Sequence, residues 1–153
     1  MKVRWFSIVA ATLMTLVFNI LPVAAKDVSI YEKTVSETLD LWRDGHYERL
    51  YENLSSRGKV SREQFIDLLR STSTRPACCF QKVQHFRLLD EKRSSARVYA
   101  RIGMEGSPAH GESSTREFKL KKEGGAWRMQ MNDILQLAGV KGKRKKRMHF
   151  KSF

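Results

Sequence analysis

Residues 96–104 read Ala96-Arg97-Val98-Tyr99-Ala100-Arg101-Ile102-Gly103-Met104, with an apolar side chain at every second position and Arg97, Tyr99 and Arg101 between them. That alternation describes a strand with one face in a core and the other in water. Before it, Phe80 to Leu89 forms a weaker strand, joined through the polar turn Asp90 to Ser95. After it, a Gly/Ser/Pro loop from Glu105 to Ser114 leads to a third strand, Thr115 to Lys122. Gly124-Gly125 makes a tight turn into a last strand, which carries Trp127, Met129 and Met131 on one face and Arg128 and Gln130 on the other. The four segments make an antiparallel meander.

Upstream of Pro76 the period is helical. Tyr31, Val35, Leu39, Trp42, His46 or Tyr47, Leu50 and Leu54 recur every three to four positions, as one long amphipathic helix that bends or breaks near Gly45. A second helix starts at Ser61, with Gln64 at the reciprocal capping-box position and Val60 and Phe65 as a hydrophobic staple. Phe65, Ile66, Leu68 and Leu69 form its inner face, and Thr74-Arg75-Pro76 ends it, because proline disfavours helical geometry in the residue before it. Two helices followed by four strands give an α+β layer, the helices covering one face of a curled four-stranded antiparallel sheet.

The two ends of the chain differ from this middle. Lys2 and Arg4 precede a mostly apolar run from Trp5 to Leu21, and Pro22-Val23-Ala24-Ala25 follows with the small residues a signal peptidase cuts after. Residues 1–25 therefore read as an export signal of bacterial type, which places the protein in the periplasm or outside the cell. The alternative is an uncleaved inner-membrane anchor formed by residues 5–25, since about 20 apolar residues span a bilayer. No cysteine lies near the junction, which disfavours a lipoprotein. At the other end, Lys141 to Phe153 reads KGKRKKRMHFKSF. Of the chain's net charge of +13, two units belong to Lys2 and Arg4 and seven to this tail, leaving only +4 on the residues between. A basic run after a folded domain is often only a solvated, disordered end. Here Met148, His149, Phe150 and Phe153 add apolar groups beside the charges. Lys141, Lys143, Arg144, Lys145, Lys146, Arg147 and Lys151 are the candidate contacts to an anionic surface. Residues 26–140 are left as a single domain, large enough for one core.

Cys78 and Cys79 are adjacent. They can close a strained vicinal ring, bond to another molecule, or stay as free thiols, and none of these staples the fold. Their spacing lacks the form of a zinc knuckle, so no metal site and no cofactor is expected.

The run Leu41-Trp42-Arg43-Asp44-Gly45-His46-Tyr47-Glu48-Arg49-Leu50-Tyr51 and the hairpin Lys122-Glu123-Gly124-Gly125-Ala126-Trp127-Arg128 resemble segments of the cone-shaped nuclear transport factor 2-like superfamily, also called SnoaL-like or cystatin-like. The order of elements over residues 28–138 fits as well. The resemblance implies a fold and no single activity, because that superfamily includes isomerases, hydrolases, binding modules and secretion-system subunits.

Two classes of function follow. A small pocket enzyme of the isomerase or dehydratase type needs a carboxylate or a His-Asp pair inside the cone. The candidates are Asp40, Asp44, His46, His85, Tyr99 and Asp133, of which Asp133 is the best single carboxylate because it would share the Trp127 face. A binding module instead offers a pocket lined by Trp42, Tyr47, Phe86, Tyr99 and Trp127, although these aromatics equally fill a core. It also offers a basic outer face made by Arg97, Tyr99, Arg101, Lys119, Lys121 and Arg128. The binding class is favoured: a non-catalytic accessory protein whose tail tethers it to an anionic envelope surface such as lipid, lipopolysaccharide or cell-wall polymer, or to an acidic protein. Nucleic acid is a less favoured partner, and a second copy of the chain an alternative one.

Overall fold

Helix α1, Ser29–Arg43, buries Tyr31, Val35, Leu39 and Trp42, the stripe expected from their spacing. It stops where Gly45 takes φ +74. The His46 N–H then reaches the Leu41 carbonyl at 2.9 Å, and the Gly45 N–H reaches that of Trp42 at 3.1 Å. This pair of bonds satisfies the last carbonyls of the helix and needs a left-handed residue, which glycine supplies without a Cβ penalty. The chain resumes as α2, Tyr47–Asn53. Of the bend or break expected near Gly45, the chain shows the break. Helix α3, Arg62–Arg70, carries the capping box: the Gln64 N–H donates to Ser61 Oγ at 3.2 Å and the Ser61 N–H to Gln64 Oε1 at 3.1 Å. A cap of this kind contributes about 1 kcal/mol. Tyr51 packs against Phe65 with ring centroids 5.6 Å apart, which joins α2 to α3.

This computed structural model describes residues 27–58, 60–106 and 113–140. Residues 1–25, read above as an export signal, and the basic tail lie outside the described residues, as does most of the loop after Glu105.

The strands are β1, Arg75–Pro76; β2, Val83–Lys92; β3, Ser95–Glu105; β4, Ser113–Glu123; and β5, Ala126–Met129. β2, β3, β4 and β5 form the antiparallel meander read from the sequence, and the sheet curls around the helices. β1 adds a two-residue pairing beyond β2 on the same side of β3, opposite Met104 and Glu105. Between β1 and β2 lies a short 3-10 turn, Cys79–Gln81, so the expected strand from Phe80 begins only at Val83. Gly103 permits that crossing: a Cβ on it would lie 2.3 Å from the Gln81 carbonyl oxygen.

Three further boundaries differ from expectation. β2 runs to Lys92 and β3 starts at Ser95, leaving Arg93 and Ser94 as the turn. β2 is also irregular: register shifts fall between Gln84 and Arg87 and between Leu88 and Asp90, and His85 has φ +51. The last strand ends at Met129, and the chain turns into α4, Met131–Leu137. Met131, Ile134 and Leu137, three residues apart, bury one side of that helix, and this period outweighs the alternation of Trp127, Met129 and Met131. Ser55, in the segment leaving α2, fixes the point of change. Its N–H donates to the Met129 carbonyl at 2.8 Å, and its own carbonyl accepts from the Met131 N–H at 3.1 Å.

The core lies between the helices and the inner face of the sheet. Val98, Ala100, Ile102, Phe118, Leu120 and Met129 pack there with Val35, Leu39, Trp42, Leu50, Phe65 and Leu69, all in one buried cluster. Two polar ties fasten α1 across the edge at β1. Lys82 pairs with Asp40, and Arg43 Nη1 donates to the Pro76 carbonyl at 2.9 Å.

Candidate functional site

Register places the outer-face residues. Arg97 pairs with Lys119, Tyr99 with Glu117, Arg101 with Thr115 and Ser95 with Lys121, so Arg97, Tyr99, Arg101, Lys119 and Lys121 share the face opposite the core. β2 adds Arg87, directly opposite Tyr99, with its guanidinium 4.6 Å from the Tyr99 ring centroid. A regular strand would put Arg87 on the same side as Val83. The bulge between them separates the two, because Val83 faces Ile102 on the inner side. Alternation puts Val83, His85 and Arg87 together on the sheet surface; the bulge turns Val83 inward and leaves Arg87 on the outer face, and the positive φ at a histidine leaves no sequence mark comparable to a glycine's. His85 itself is exposed at the bulge.

Arg97 is partly neutralised by Asp90 at 3.9 Å and Glu117 at 3.7 Å. Arg101 donates from Nε to Ser113 Oγ at 2.9 Å. Arg128 lies opposite Lys121 at the edge strand. Its guanidinium turns to the Glu52 carbonyl near the end of α2, where the helix dipole favours a cation. The outer face thus keeps five of the six expected members facing solvent together and adds Arg87. It holds a shallow hollow of about 540 Å³ lined by His85, Phe86, Arg87, Tyr99, Arg101 and Thr115.

The aromatics read as pocket-lining do not meet in one place. Trp42 and Tyr47 border a second cavity, of about 310 Å³, together with Leu69, Thr72–Arg75 and Glu105. Phe86 and Tyr99 line the outer hollow. Trp127 packs edge-on to Tyr31, with centroids 5.1 Å apart, and has Lys122 5.7 Å from its ring. Burial, and a hydrogen bond with Glu91, push the Tyr31 hydroxyl up to about 12.

The candidate acids and bases are similarly dispersed. Asp40 is held by Lys82. Asp44 and His46 flank the break between α1 and α2, both exposed. Glu105, which the sequence did not single out, sits at the rim of the smaller cavity between Arg43 and Arg75, each 3.3 Å away. The hydrogen bond from Arg43 holds its carboxyl below the usual range, with Arg75 acting in the same direction.

Asp133 lies in the first turn of α4 rather than on a strand. β5 pairs with β4 only from Leu120 onward, so the Lys119 N–H on that edge has no strand partner, and Asp133 Oδ2 accepts it at 3.3 Å. Burial pushes the Asp133 carboxyl above its ordinary value, against the pull of that N–H and of Arg116 and Lys119. A raised folded-state value favours the protonated form. The contribution of Asp133 is then greatest below the ordinary carboxylate range and is lost as pH rises through the raised value. Asp133→Asn keeps an acceptor and removes the charge. It is expected to match or exceed the wild type in urea midpoint at pH 7, the difference closing as the pH falls below the unfolded carboxyl's value. Asp133→Ala, which leaves the edge N–H without its partner, is expected to lose about 1 kcal/mol. A midpoint for Asp133→Asn clearly below wild type at pH 7 would show that the carboxylate charge is favourable there.

Cys78 and Cys79 are both exposed free thiols, with their sulfurs 2.8 Å apart. Among the described residues no three His, Cys, Asp or Glu side chains converge as a metal site requires, and no helix is long and apolar enough to cross a membrane. No protein-family model matches the chain, and no curated protein matches it.

Proposed function

We propose that this protein is an exported, non-catalytic binding module of the nuclear transport factor 2-like cone type, held on an anionic surface by its basic tail and by the cationic outer face of the sheet. The observation that carries the reading is the register of β2, β3 and β4, which collects Arg87, Arg97, Arg101, Lys119 and Lys121 on one face around Tyr99. Two carboxylates on that face, Asp90 and Glu117, are engaged by Arg97. Arg87, Arg101, Lys119 and Lys121 stand outside those two ion pairs.

Electrostatics set the scale. Basic side chains near an anionic surface gain on the order of 1 kcal/mol each, so a tail with seven of them suffices for peripheral attachment at moderate salt. The aromatic residues near its end add apolar insertion. The inner face supports the non-catalytic part of the reading: Trp42, Phe65 and Phe118 fill it, and the best-placed carboxylate, Asp133, is occupied by a backbone N–H.

The test is co-sedimentation of the chain from Lys26 onward with liposomes rich in phosphatidylglycerol and with neutral phosphatidylcholine liposomes, across a salt series. Removing 141–153 is expected to weaken binding to the anionic vesicles by at least tenfold, and Arg87→Glu with Arg101→Glu to weaken what remains. Equal binding to neutral vesicles, or salt-independent binding, would overturn the proposal. Stronger retention by duplex DNA than by anionic vesicles at equal salt would move the partner to nucleic acid.

A further inference from the structure

The connection from β1 to β2 holds a chemical group that the binding surface does not use. Ala77 to Lys82 passes over the Gly103 end of β3 and is tied down on both sides. The Ala77 N–H donates to the Gly103 carbonyl at 2.9 Å, and the Gly103 N–H to the Lys82 carbonyl at 3.2 Å. Within that short span Cys78 is extended and Cys79 has φ +59. Neighbouring side chains on an extended chain point to opposite sides. The left-handed residue reverses this, and the two sulfurs come within 2.8 Å. A non-glycine residue in that region costs of order 1 kcal/mol and persists only where its surroundings impose it, as the two Gly103 bonds do here.

We propose that Cys78-Cys79 is a reversible redox-modification site, in which a low-molecular-weight disulfide of the glutathione type converts the two thiols into a vicinal disulfide ring. The thiolate of one cysteine attacks the reagent, forming a mixed disulfide and releasing one reduced thiol. The neighbouring sulfur, as thiolate, then attacks the protein-bound sulfur, closing the ring and releasing the second reduced thiol. The protein gives up two electrons and two protons, and the reagent's disulfide is reduced to two thiols. The backbone holds the two sulfurs side by side, so the attacking and resolving groups are already adjacent. The neighbouring Cys78 thiol raises the Cys79 thiol, while Arg43 and Lys82 nearby act to lower it. Both sulfurs are exposed, so the reagent has access.

The ring would span a single peptide bond. Closing it removes almost no loop entropy from the unfolded chain, unlike a bridge across a long loop. Strained, exposed disulfides are also the readily reduced ones. The site therefore acts as a switch of chemical state and not as a staple.

The experiment is intact-mass spectrometry of the chain from Lys26 to Phe153, after incubation with oxidised glutathione and removal of excess reagent. The wild type is expected to lose the mass of two hydrogens, about 2 Da, with no glutathione retained, and to recover it in excess reduced glutathione. Cys78→Ser and Cys79→Ser are each expected to retain one glutathione, because neither has a resolving sulfur. Cys78→Ser with Cys79→Ser together serves as the unmodified control. Wild type carrying glutathione on both sulfurs, or forming covalent dimers in preference to the ring, would overturn the proposal. An oxidised form that a large excess of reduced glutathione leaves closed would overturn its reversibility.

Discussion

Trp42→Ala is expected to lower folding stability by about 3–5 kcal/mol, the usual cost of truncating a large buried aromatic. Trp42 is 2% exposed and belongs to the continuous core cluster. It stands in the last turn of α1, one of the two residues whose carbonyls close the helix against Gly45 and His46. Removing the indole leaves a void that the break at Gly45 cannot collapse into, because the bonds to Leu41 and Trp42 hold both sides of it. A domain of this size is typically stable by about 5–15 kcal/mol, so the variant loses a large part of its margin. Urea denaturation followed by circular dichroism gives the number. Trp42→Phe, which keeps most of the apolar volume, is expected to lose less than half as much. A Trp42→Ala midpoint equal to wild type would mean that the cavity beside Tyr47 and Leu69 extends under Trp42, and that the helix end does not seal the core there.

The second large effect is expected at Gly103. An added methyl would sit 2.3 Å from the Gln81 carbonyl oxygen and 3.1 Å from Ala77 Cβ. The first contact is with backbone, which cannot rotate away as a side chain can. Gly103→Ala should therefore cost about 2–3 kcal/mol, or force residues 77–82 off β3 at similar expense. Both outcomes reduce the urea midpoint. The second also exposes the Ala77 and Gly103 amides, so that hydrogen exchange at those two positions separates strain from detachment. A Gly103→Ala protein with unchanged midpoint and unchanged protection at Ala77 would contradict the close crossing.

The parts legible in the sequence share a property: their local period and their tertiary burial agree. Ala96 to Met104 alternates and faces a core on alternate positions, so β3 reads directly. Ser61 and Gln64 lie three apart and close a capping box that depends on nothing distant. The parts that did not read are those where two periods compete or a distant group decides. Met129 and Met131 continue the alternation of Trp127, but Ser55, more than seventy residues earlier, takes up the backbone groups on either side of Gln130 and ends the strand. The spacing of Met131, Ile134 and Leu137, with Gly139 at φ +76 after them, was the available signal for α4. Of the site, the basic outer face was legible wherever β3 and β4 keep regular register. Arg87 keeps the surface side that its alternation with His85 gives it, whereas Val83 does not, because the bulge at His85 turns it inward. Arg43 and Glu105 were missed for another reason: their meeting joins the end of α1 to the end of β3, a distance in sequence that no local pattern records.

The Ser55 clasp has a kinetic side as well. One residue between α2 and α3 bonds to the chain on both sides of Gln130, and its hydroxyl adds a third bond to Met129 at 3.1 Å. Ring closure over such a span is entropically costly and slow compared with forming a local turn. The edge strand and the terminal helix thus have no finished docking surface until the first helices are in place, and those helices lack their lower support until the end of the domain arrives. The Ser55 bonds are therefore expected to form after the local turns and helices of the domain, once both ends of the span are present.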